Sequence, residues 1–294
     1  MYTNTNLRSR VLVLGGTTFD HIVYLDELPK GNPVTIHQCR FQETIGSTGT
    51  GKSWALHKLG VQVHLISAVG NDSWGQQIQT VLHKQGISHE LITDVTGTER
   101  HINLMDKYGK RISIFVTTSS NSINFSTQNL QAQLDDHDVI VLNIIGYCQP
   151  WADQVKACNK PVWTDLHDFD GSSSYHQPFI DAAQYIQLSS DNLSDYRSLM
   201  ENLMATGKEL VVCTHAEKGV SAISNTTGWI DLPAMEVPVV DSNGAGDNFF
   251  AGLLFGWLQQ LPLVQCLQLG TKAAALCVQS PQLVSASLNE ALLT

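Results

Sequence analysis

One stretch in the last quarter of the chain constrains its structure more than any other. It runs V-V-D-S-N-G-A-G-D-N-F-F-A-G from Val239 to Gly252. The apolar pair after Pro238 predicts the end of a buried strand, and the apolar periodicity from Phe249 to Trp257 predicts a helix. The turn between them, Asp241 to Gly246, therefore opens that helix.

The residues of this turn favour the binding of an anion. Gly244, Ala245 and Gly246 carry little or no side chain, so they leave the first backbone N–H groups of the helix uncovered. The helix dipole adds about half a positive charge at the same end. Asp247 follows in the first turn, where a carboxylate can accept the proton of a hydroxyl group while the N–H groups stabilise charge on a phosphate. From these residues alone, the alternative is an ordinary strand–turn–helix in which the dipole favours Asp247.

The segment D-S-N-G-A-G-D, Asp241 to Asp247, resembles the D-[TS]-x-G-A-G-D signature of the ribokinase-like (PfkB) carbohydrate kinase family. The resemblance implies a doubly wound, three-layer α/β/α core with a small β-sheet lid. It also implies a kinase that moves the γ-phosphoryl group of ATP, which carries Mg²⁺, to a hydroxyl group of a sugar or nucleoside-like molecule. Asp247 is then the general base, and the N–H groups of Gly244, Ala245 and Gly246 hold the phosphoryl group. Many relatives also bind a monovalent cation such as K⁺ near the start of the motif, so Asp241 becomes a candidate ligand.

Length and composition narrow the class of protein. The 294 residues suffice for one large α/β domain, residues 1–294, with a small accessory sheet. The formal net charge of -10 argues against a nucleic-acid partner, and no apolar run is long enough to span a membrane. Six scattered cysteines without a CxxC pair predict reduced thiols, and Met1–Arg10 lacks the apolar core of a signal peptide. We therefore expect a cytoplasmic enzyme.

The first predicted strand, Val11–Leu14, ends in two glycines, as is typical of a parallel sheet. Asp20 follows a few residues later, at the strand end where open α/β sheets bind their ligands. The family resemblance implies that Asp20 contacts sugar hydroxyls, and a turn carboxylate is the alternative. Further along, Asp72 is predicted to cap a helix from Gln76 to Lys84.

Two β-like patches interrupt the α/β pattern, within residues 21–45 and 98–118. In the first patch, apolar residues alternate with polar ones from Ile22 to Phe41. The second predicts a hairpin of Ile102–Met105 and Ile112–Val116 that turns at Gly109. The resemblance implies that the two patches form the lid over the sugar site, through which relatives form homodimers.

The segment Gly46–Ser53 matches G-x-x-x-x-G-K-[ST], the P-loop that binds phosphates. A P-loop follows a buried parallel strand, whereas the residues before this segment are half polar, so a P-loop nucleotide hydrolase is the less favoured alternative. The segment is also similar to the family's G-G-x-x-x-N-x-A, which implies that Gly46, Ser47 and Gly49 bind substrate. Ser47 replaces the second glycine of that pattern, and Gly51 replaces the asparagine that commonly contacts the sugar. Lys52 is then either a substrate contact or a solvated residue of the first helical turn.

The family's N-x-x-E motif, which helps to hold magnesium and phosphate, is not retained. The aligned positions carry Ser189 and Asn192, with Asp191 as the only nearby carboxylate. Asp191 is a candidate for the water shell of magnesium, or else an N-terminal helix residue favoured by the dipole. Asp165, at the end of a predicted strand, is a candidate for outer-sphere magnesium contact or substrate positioning. The lost pair motivates a second alternative, a catalytically weakened sugar or nucleotide sensor with the same fold.

The nucleotide site is also inferred from the resemblance. After the predicted strand Leu210–Thr214, the turn is similar to the family's T-x-G-x-x-G, with Ala216 in place of the first glycine. Thr214, Ala216 and Gly219 would lie near ATP. Ala274 and Cys277, on a predicted Ala-rich helix, would close the adenine pocket, and simple core packing is the alternative for both.

Overall fold

The computed structural model describes residues 9–293, with thirteen strands and nine α-helices in that part of the chain. The strands are β1 (Arg10–Leu14), β2 (Thr18–Leu25), β3 (Arg40–Gly46), β4 (Gln62–Val69), β5 (Ser88–Thr93), β6 (Arg100–Asp106), β7 (Arg111–Thr117), β8 (Val139–Leu142), β9 (Val162–Asp165), β10 (Tyr185–Ser189), β11 (Leu210–Thr214), β12 (Val220–Ser224) and β13 (Gly228–Leu232). The helices are α1 (Thr48–Lys58), α2 (Ser73–Lys84), α3 (Thr127–Asp136), α4 (Ala152–Ala157), α5 (Gln177–Ala182), α6 (Tyr196–Ala205), α7 (Ala245–Leu258), α8 (Leu263–Val278) and α9 (Glu290–Leu293).

The larger sheet has nine strands in the order β13-β12-β11-β10-β9-β8-β1-β4-β5. Pairing is parallel from β11 through β1 to β5, and β12 and β13 join as an antiparallel edge. The first strand, β1, lies inside the sheet. The chain adds β4 and β5 on one side of it and then β8 to β13 on the other. In such a sheet, ligands bind outside the carboxyl ends of the strands where this order reverses.

Strand β1 shows why helices cover both faces of this sheet. All its residues from Val11 to Leu14 are fully buried, and successive side chains point to opposite faces. Val11 and Val13 pack in one core with α1, α2, α7 and α8, whereas Leu12 and Leu14 pack in a second core with α3 to α6. The predicted doubly wound, three-layer α/β/α architecture is confirmed.

The smaller sheet has the order β3-β2-β6-β7. The predicted hairpin is present as β6 and β7, and Gly109 supplies its turn with a φ of 80°. The first patch differs from the prediction: β2 begins at Thr18, and residues 26–39 form no strand. Val34 and Ile36 are exposed there, because this segment does not pair with a neighbouring strand. That this sheet acts as a lid, and that the chain is one domain, stay predictions.

Helix α2 begins where its cap was predicted, although three residues earlier than the predicted helix start. The carboxylate of Asp72 accepts the N–H of Gly75 at 2.9 Å and also the N–H of Thr98 at 2.9 Å. It therefore both caps the helix and fastens a neighbouring loop.

Within residues 9–293, no helix is long and apolar enough to cross a membrane. Most of Met1–Arg10, on which the expectation of no signal peptide rests, lies outside the described residues.

Candidate active site

Asp165 and Thr214, both singled out in the sequence, lie at the carboxyl edge of the larger sheet, together with residues that were not. Gly15 and Gly16 follow β1, Asp165 ends β9, and Gln187 lies in β10. The amino end of α7 packs onto this edge, because the side-chain amide of Gln187 donates to the carbonyl of Gly246 at 3.1 Å. The motif that was identified first therefore lies at the position where a doubly wound sheet binds its ligand.

The turn before α7 is not a continuation of a strand. Val239 and Val240 are 58% and 51% exposed and form no strand, so the predicted buried strand end is wrong. The turn is held instead by side chains: Asp241 accepts the N–H of Asn243 at 2.8 Å, and buried Asn248 donates to the carbonyls of Gly244 and Leu283.

Gly244 caps α7 in the left-handed conformation, with φ at 79°, and an added Cβ would lie 2.7 Å from the carbonyl oxygen of Leu283. Of the three predicted anion-binding N–H groups, that of Ala245 already donates to the carbonyl of Ser242 at 3.2 Å. The N–H groups of Gly246 and Asp247, in the first turn of α7, have no acceptor within the helix. The amino end of α7 thus keeps N–H groups that can donate to an anion. The N–H of Ala245 is less available than those of Gly246 and Asp247, because it already has an acceptor.

The carboxylate of Asp247 is fixed through one of its two oxygens. Oδ1 accepts from the ammonium of Lys52 at 2.6 Å and from the hydroxyl of Thr48 at 2.9 Å. Among the described residues, no hydrogen bond reaches Oδ2. The side chain is 13% exposed, so a carboxylate with one free oxygen lies beside the amino end of α7.

Lys52 is fully buried, so the prediction of a solvated residue is wrong. Its ammonium lies 3.0 Å from Oδ2 of Asp165 and 2.6 Å from Oδ1 of Asp247, and it also donates to Thr48. Burial alone would lower the pKa of Lys52, but the carboxylates of Asp165 and Asp247 outweigh burial and raise it. Lys52 is therefore a buried cation shared by two carboxylates.

Both oxygens of Asp165 accept hydrogen bonds from protein donors. Oδ1 accepts the N–H of His167 at 3.0 Å, and Oδ2 accepts from Lys52 and, at 3.2 Å, from Gln187. Burial would raise the pKa of Asp165, but His167 and Lys52 hold it below its ordinary value.

Helix α1 approaches this network through glycines. A Cβ on Gly49 would lie 1.7 Å from the carbonyl oxygen of Gly15, and a Cβ on Gly51 would lie 2.7 Å from Oδ2 of Asp247. These glycines are helical, and the strand before them, β3, is antiparallel in the smaller sheet. The P-loop alternative is therefore wrong, because its phosphate-binding turn and its preceding parallel strand are both missing.

Ser47 keeps the backbone that the family's glycine would have. Its φ of 74° and ψ of 158° lie in a region that glycine alone adopts easily. We expect Ser47→Gly to raise the free energy of unfolding by about 1 kcal/mol, because the strain of the Cβ disappears. Ser47→Ala keeps the Cβ and should give no gain. Urea unfolding of the three proteins checks this, and equal stabilities of the glycine and alanine variants would contradict the strain.

Asp20 lies in a second polar cluster, formed with the smaller sheet. Its oxygens accept from Thr18 at 2.6 Å and Asn103 at 3.3 Å, and an added Cβ on Gly46 would lie 2.2 Å from Oδ2. Asp20 is 4% exposed, and burial raises its pKa despite the opposing influence of Thr18. Asp20 and Gly46, predicted separately as substrate-binding residues, are thus neighbours.

The smaller sheet contacts the turn before α7 directly. The hydroxyl of Tyr24 donates to Oδ2 of Asp241 at 2.7 Å, and Arg111 donates to Asn243 at 3.1 Å. With the N–H of Asn243 on Oδ1, both oxygens of Asp241 are engaged. Asp241 therefore joins the smaller sheet to the turn, and each of its oxygens accepts one hydrogen bond from the described residues.

The predicted nucleotide turn follows β11. Ala216 has a φ of 50° and Gly219 a φ of 106°, so both keep conformations that favour glycine. Thr214 donates to the carbonyl of Leu188 at 3.4 Å, and His215 bridges Ser190 and Ser221. The turn is thus anchored to the strand beside it, with Thr214 at the strand end.

The two predicted residues of α8 differ from each other. Ala274 is partly exposed, whereas Cys277 is fully buried and its thiol donates to the carbonyl of Asn243 at 3.3 Å. Burial, with Asp247 and Asp241 nearby, raises the pKa of Cys277 to about 12. Cys277 therefore supports the turn from behind, in agreement with the core alternative.

Asp191 lies in the loop after β10, where its carboxylate accepts from Ser189 at 3.0 Å. The N-cap of α6 is Asp195, so the alternative of a helix-terminal Asp191 is wrong. In the described part of the chain, no three His, Cys, Asp or Glu side chains are grouped to hold a metal ion. Asp191 is thus an exposed carboxylate outside any such group.

Comparison with known proteins identifies a matching family and similar chains. A family model described as pfkB family carbohydrate kinase matches residues 8–160 and 180–290. Acarbose 7(IV)-phosphotransferase of Actinoplanes sp. is 29% identical over 288 residues, 96% of each chain. Fructoselysine 6-kinase of Escherichia coli is 28% identical over 232 residues, 76% of this chain and 85% of that one.

Solved structures show the same fold. A microbiome-derived acarbose kinase has a TM-score of 0.87 and 25% identity over 97% of both chains. A ribokinase from Giardia lamblia has a TM-score of 0.82 and 15% identity, also over 97% of both chains. At that identity the second likeness concerns the fold alone.

Proposed function

Because the chain belongs to the pfkB family of carbohydrate kinases, we propose that it transfers the γ-phosphoryl group of ATP to a hydroxyl group of a sugar. One observation carries the proposal: the free oxygen of Asp247 lies at the same helix end as N–H groups without acceptors. A base and an anion site side by side are what this transfer requires.

In the proposed reaction, Oδ2 of Asp247 accepts the proton of the acceptor hydroxyl. The hydroxyl oxygen forms a bond to the γ-phosphorus while the bond between that phosphorus and the bridging oxygen of ADP breaks. The N–H groups of Gly244, Gly246 and Asp247, together with the helix dipole, stabilise the charge on the phosphoryl group. ADP leaves with the electron pair of the broken bond, and Asp247 later releases its proton to water.

ATP would lie between the amino end of α7 and the turn after β11. Thr214, Ala216 and Gly219 would contact its phosphates and ribose, and Ala274 its base. Magnesium would neutralise phosphate charge, with Asp191 as the protein carboxylate suited to its water shell. Asp241 would contribute to a site for a monovalent cation such as K⁺, since each of its oxygens accepts only one hydrogen bond from the described residues.

The acceptor would bind between the smaller sheet and Asp247. Asp20 and the segment from Gly46 to Gly49 would orient its hydroxyls. Gly51 stands where relatives carry a sugar-binding asparagine. The acceptor of this protein would therefore lack the contact that this asparagine makes with a sugar hydroxyl in relatives. The names of the relatives make acarbose, fructoselysine and ribose the first sugars to test.

The proposal includes a homodimer through the smaller sheet. Its outer face exposes apolar side chains, among them Phe41, Ile114 and Val116, which would be covered by a second copy. The sedimentation coefficient at micromolar concentration tests this: a monomer would contradict it.

The test of the activity is ADP release with ATP, Mg²⁺ and a panel of sugars and nucleosides. We expect release that depends on one acceptor class and a product whose mass is raised by one phosphoryl group. Incubation with ATP alone is the control, since release there would indicate hydrolysis. Ligand binding by calorimetry without turnover across the panel would contradict the kinase and favour the sensor.

A further inference from the structure

Lys52 is a fully buried charge at this site that the proposed reaction does not use. We infer that Lys52 is a positioning residue for Asp247: it binds Oδ1 of the carboxylate so that Oδ2 faces the acceptor and receives the proton. The inference rests on the proposed function, in which Asp247 is the general base.

The anchoring is one-sided. Lys52 and Thr48, one helical turn apart in α1, both contact Oδ1 of Asp247. Oδ2 lies instead against the backbone of Gly51, which has no side chain to displace it. The two donors therefore anchor the carboxylate through Oδ1, and Oδ2 accepts no hydrogen bond from the described residues.

Asp247 depends on Lys52 more than Asp165 does. Asp165 has two further donors, the N–H of His167 and the amide of Gln187. Within the described residues, Asp247 has only Thr48 in addition. Loss of the ammonium would thus leave Asp165 in place but leave Asp247 beside a buried negative charge, held by one hydroxyl.

The positive charge of Lys52 also offsets the repulsion between the carboxylates of Asp165 and Asp247. Two buried carboxylates close together disfavour each other's ionisation, and a nearby cation opposes that effect. Phosphate groups of ATP would add further negative charge. The ammonium of Lys52 supplies positive charge to both carboxylates, and Oδ1 of Asp247 remains bound to it.

Lys52→Met removes the charge and keeps a similar length. We expect kcat to fall about 100-fold, the loss that misplacement of a reacting group can cause, with nearly unchanged KM values for ATP and sugar. The matched control is Lys208→Met, since Lys208 is also buried, at 6% exposed, but its ammonium contacts the carbonyl of Ile180. Lys208→Met should lower thermal stability and keep kcat. Equal kcat losses in both variants, or a raised KM with unchanged kcat, would overturn the inference.

The pH–rate profile gives a second readout. Without Lys52, the charge of Asp165 favours the protonated form of the neighbouring carboxylate, so the acidic limb should move to higher pH. Adding Asp165→Asn should move it back. An acidic limb at the same pH in all three proteins would contradict the role of the charge.

Thermal unfolding tests the pairing without any activity. Lys52→Met should lower Tm, because two buried carboxylates lose their cation, and adding Asp247→Asn should restore part of it. If only Asp165→Asn restores Tm, Lys52 serves Asp165 and the inference fails. This outcome is separate from the failure of the proposed function, which is an absence of ADP release in the wild type.

Gly51→Ala is the variant to use if Lys52→Met does not fold. Its Cβ would press on Oδ2 of Asp247 without changing any charge. A fall in kcat with unchanged ATP affinity supports the inference, whereas an unchanged kcat contradicts it.

Discussion

Asp247→Asn is expected to lower kcat by about 10²- to 10⁴-fold, the range that a positioned acid–base group contributes. The amide cannot accept the proton of the acceptor hydroxyl, although it fills the same space. The affinity for ATP should change little, because the N–H groups at the amino end of α7 stay in place. Steady-state kinetics with the preferred sugar and calorimetry with ATP measure the two effects.

The control for this variant is Asp195→Asn. Asp195 is an exposed carboxylate that caps α6, where it accepts the N–H of Ser198 at 3.1 Å. Its loss should leave kcat unchanged. A wild-type kcat for Asp247→Asn would refute Asp247 as the base.

Gly49→Ala is expected to lower the free energy of unfolding by about 3 kcal/mol, at the upper end of typical overpacking costs. An added Cβ would lie 1.7 Å from the carbonyl oxygen of Gly15, and that backbone cannot rotate away as a side chain could. Helix α1 would have to move from the end of β1. Urea and thermal unfolding measure the loss.

Gly246→Ala is the matched control for unfolding. It also places a Cβ in the first turns of a helix, but the nearest atom there, Nε2 of Gln187, would be 3.9 Å away. Its stability should stay close to that of the wild type. If both variants unfold alike, Gly49 is not needed for the close approach of α1 to β1.

The glycines around Gly49 show how much of the site could be predicted from the sequence. The glycines from Gly46 to Gly51 indicated a close approach of backbone to something, and the two predictions from them named a sugar or a phosphate. In the structure, Gly49 approaches the backbone of Gly15 and Gly51 approaches Asp247. A glycine indicates that another group can approach the backbone closely. The sequence does not say which group approaches, because that group comes from a distant part of the chain.

Local patterns could also mislead where burial was decisive. Val239 and Val240 resemble a strand end by composition, yet both are exposed, since the turn is held by Asp241 and Asn248 rather than by a sheet. Cys277 was placed at the nucleotide by resemblance, but its thiol donates to the carbonyl of Asn243, beneath the turn.

The sequence by itself determined the parallel strands, the cap by Asp72 and the turn at Gly244 that opens a helix, because each depends on residues that are neighbours along the chain. Only the tertiary structure decided that Lys52 pairs with Asp247, 195 residues away, and that Tyr24 reaches Asp241 across 217 residues. These contacts form between elements that meet only when the sheet is complete. No local pattern encodes which buried charge will face which carboxylate.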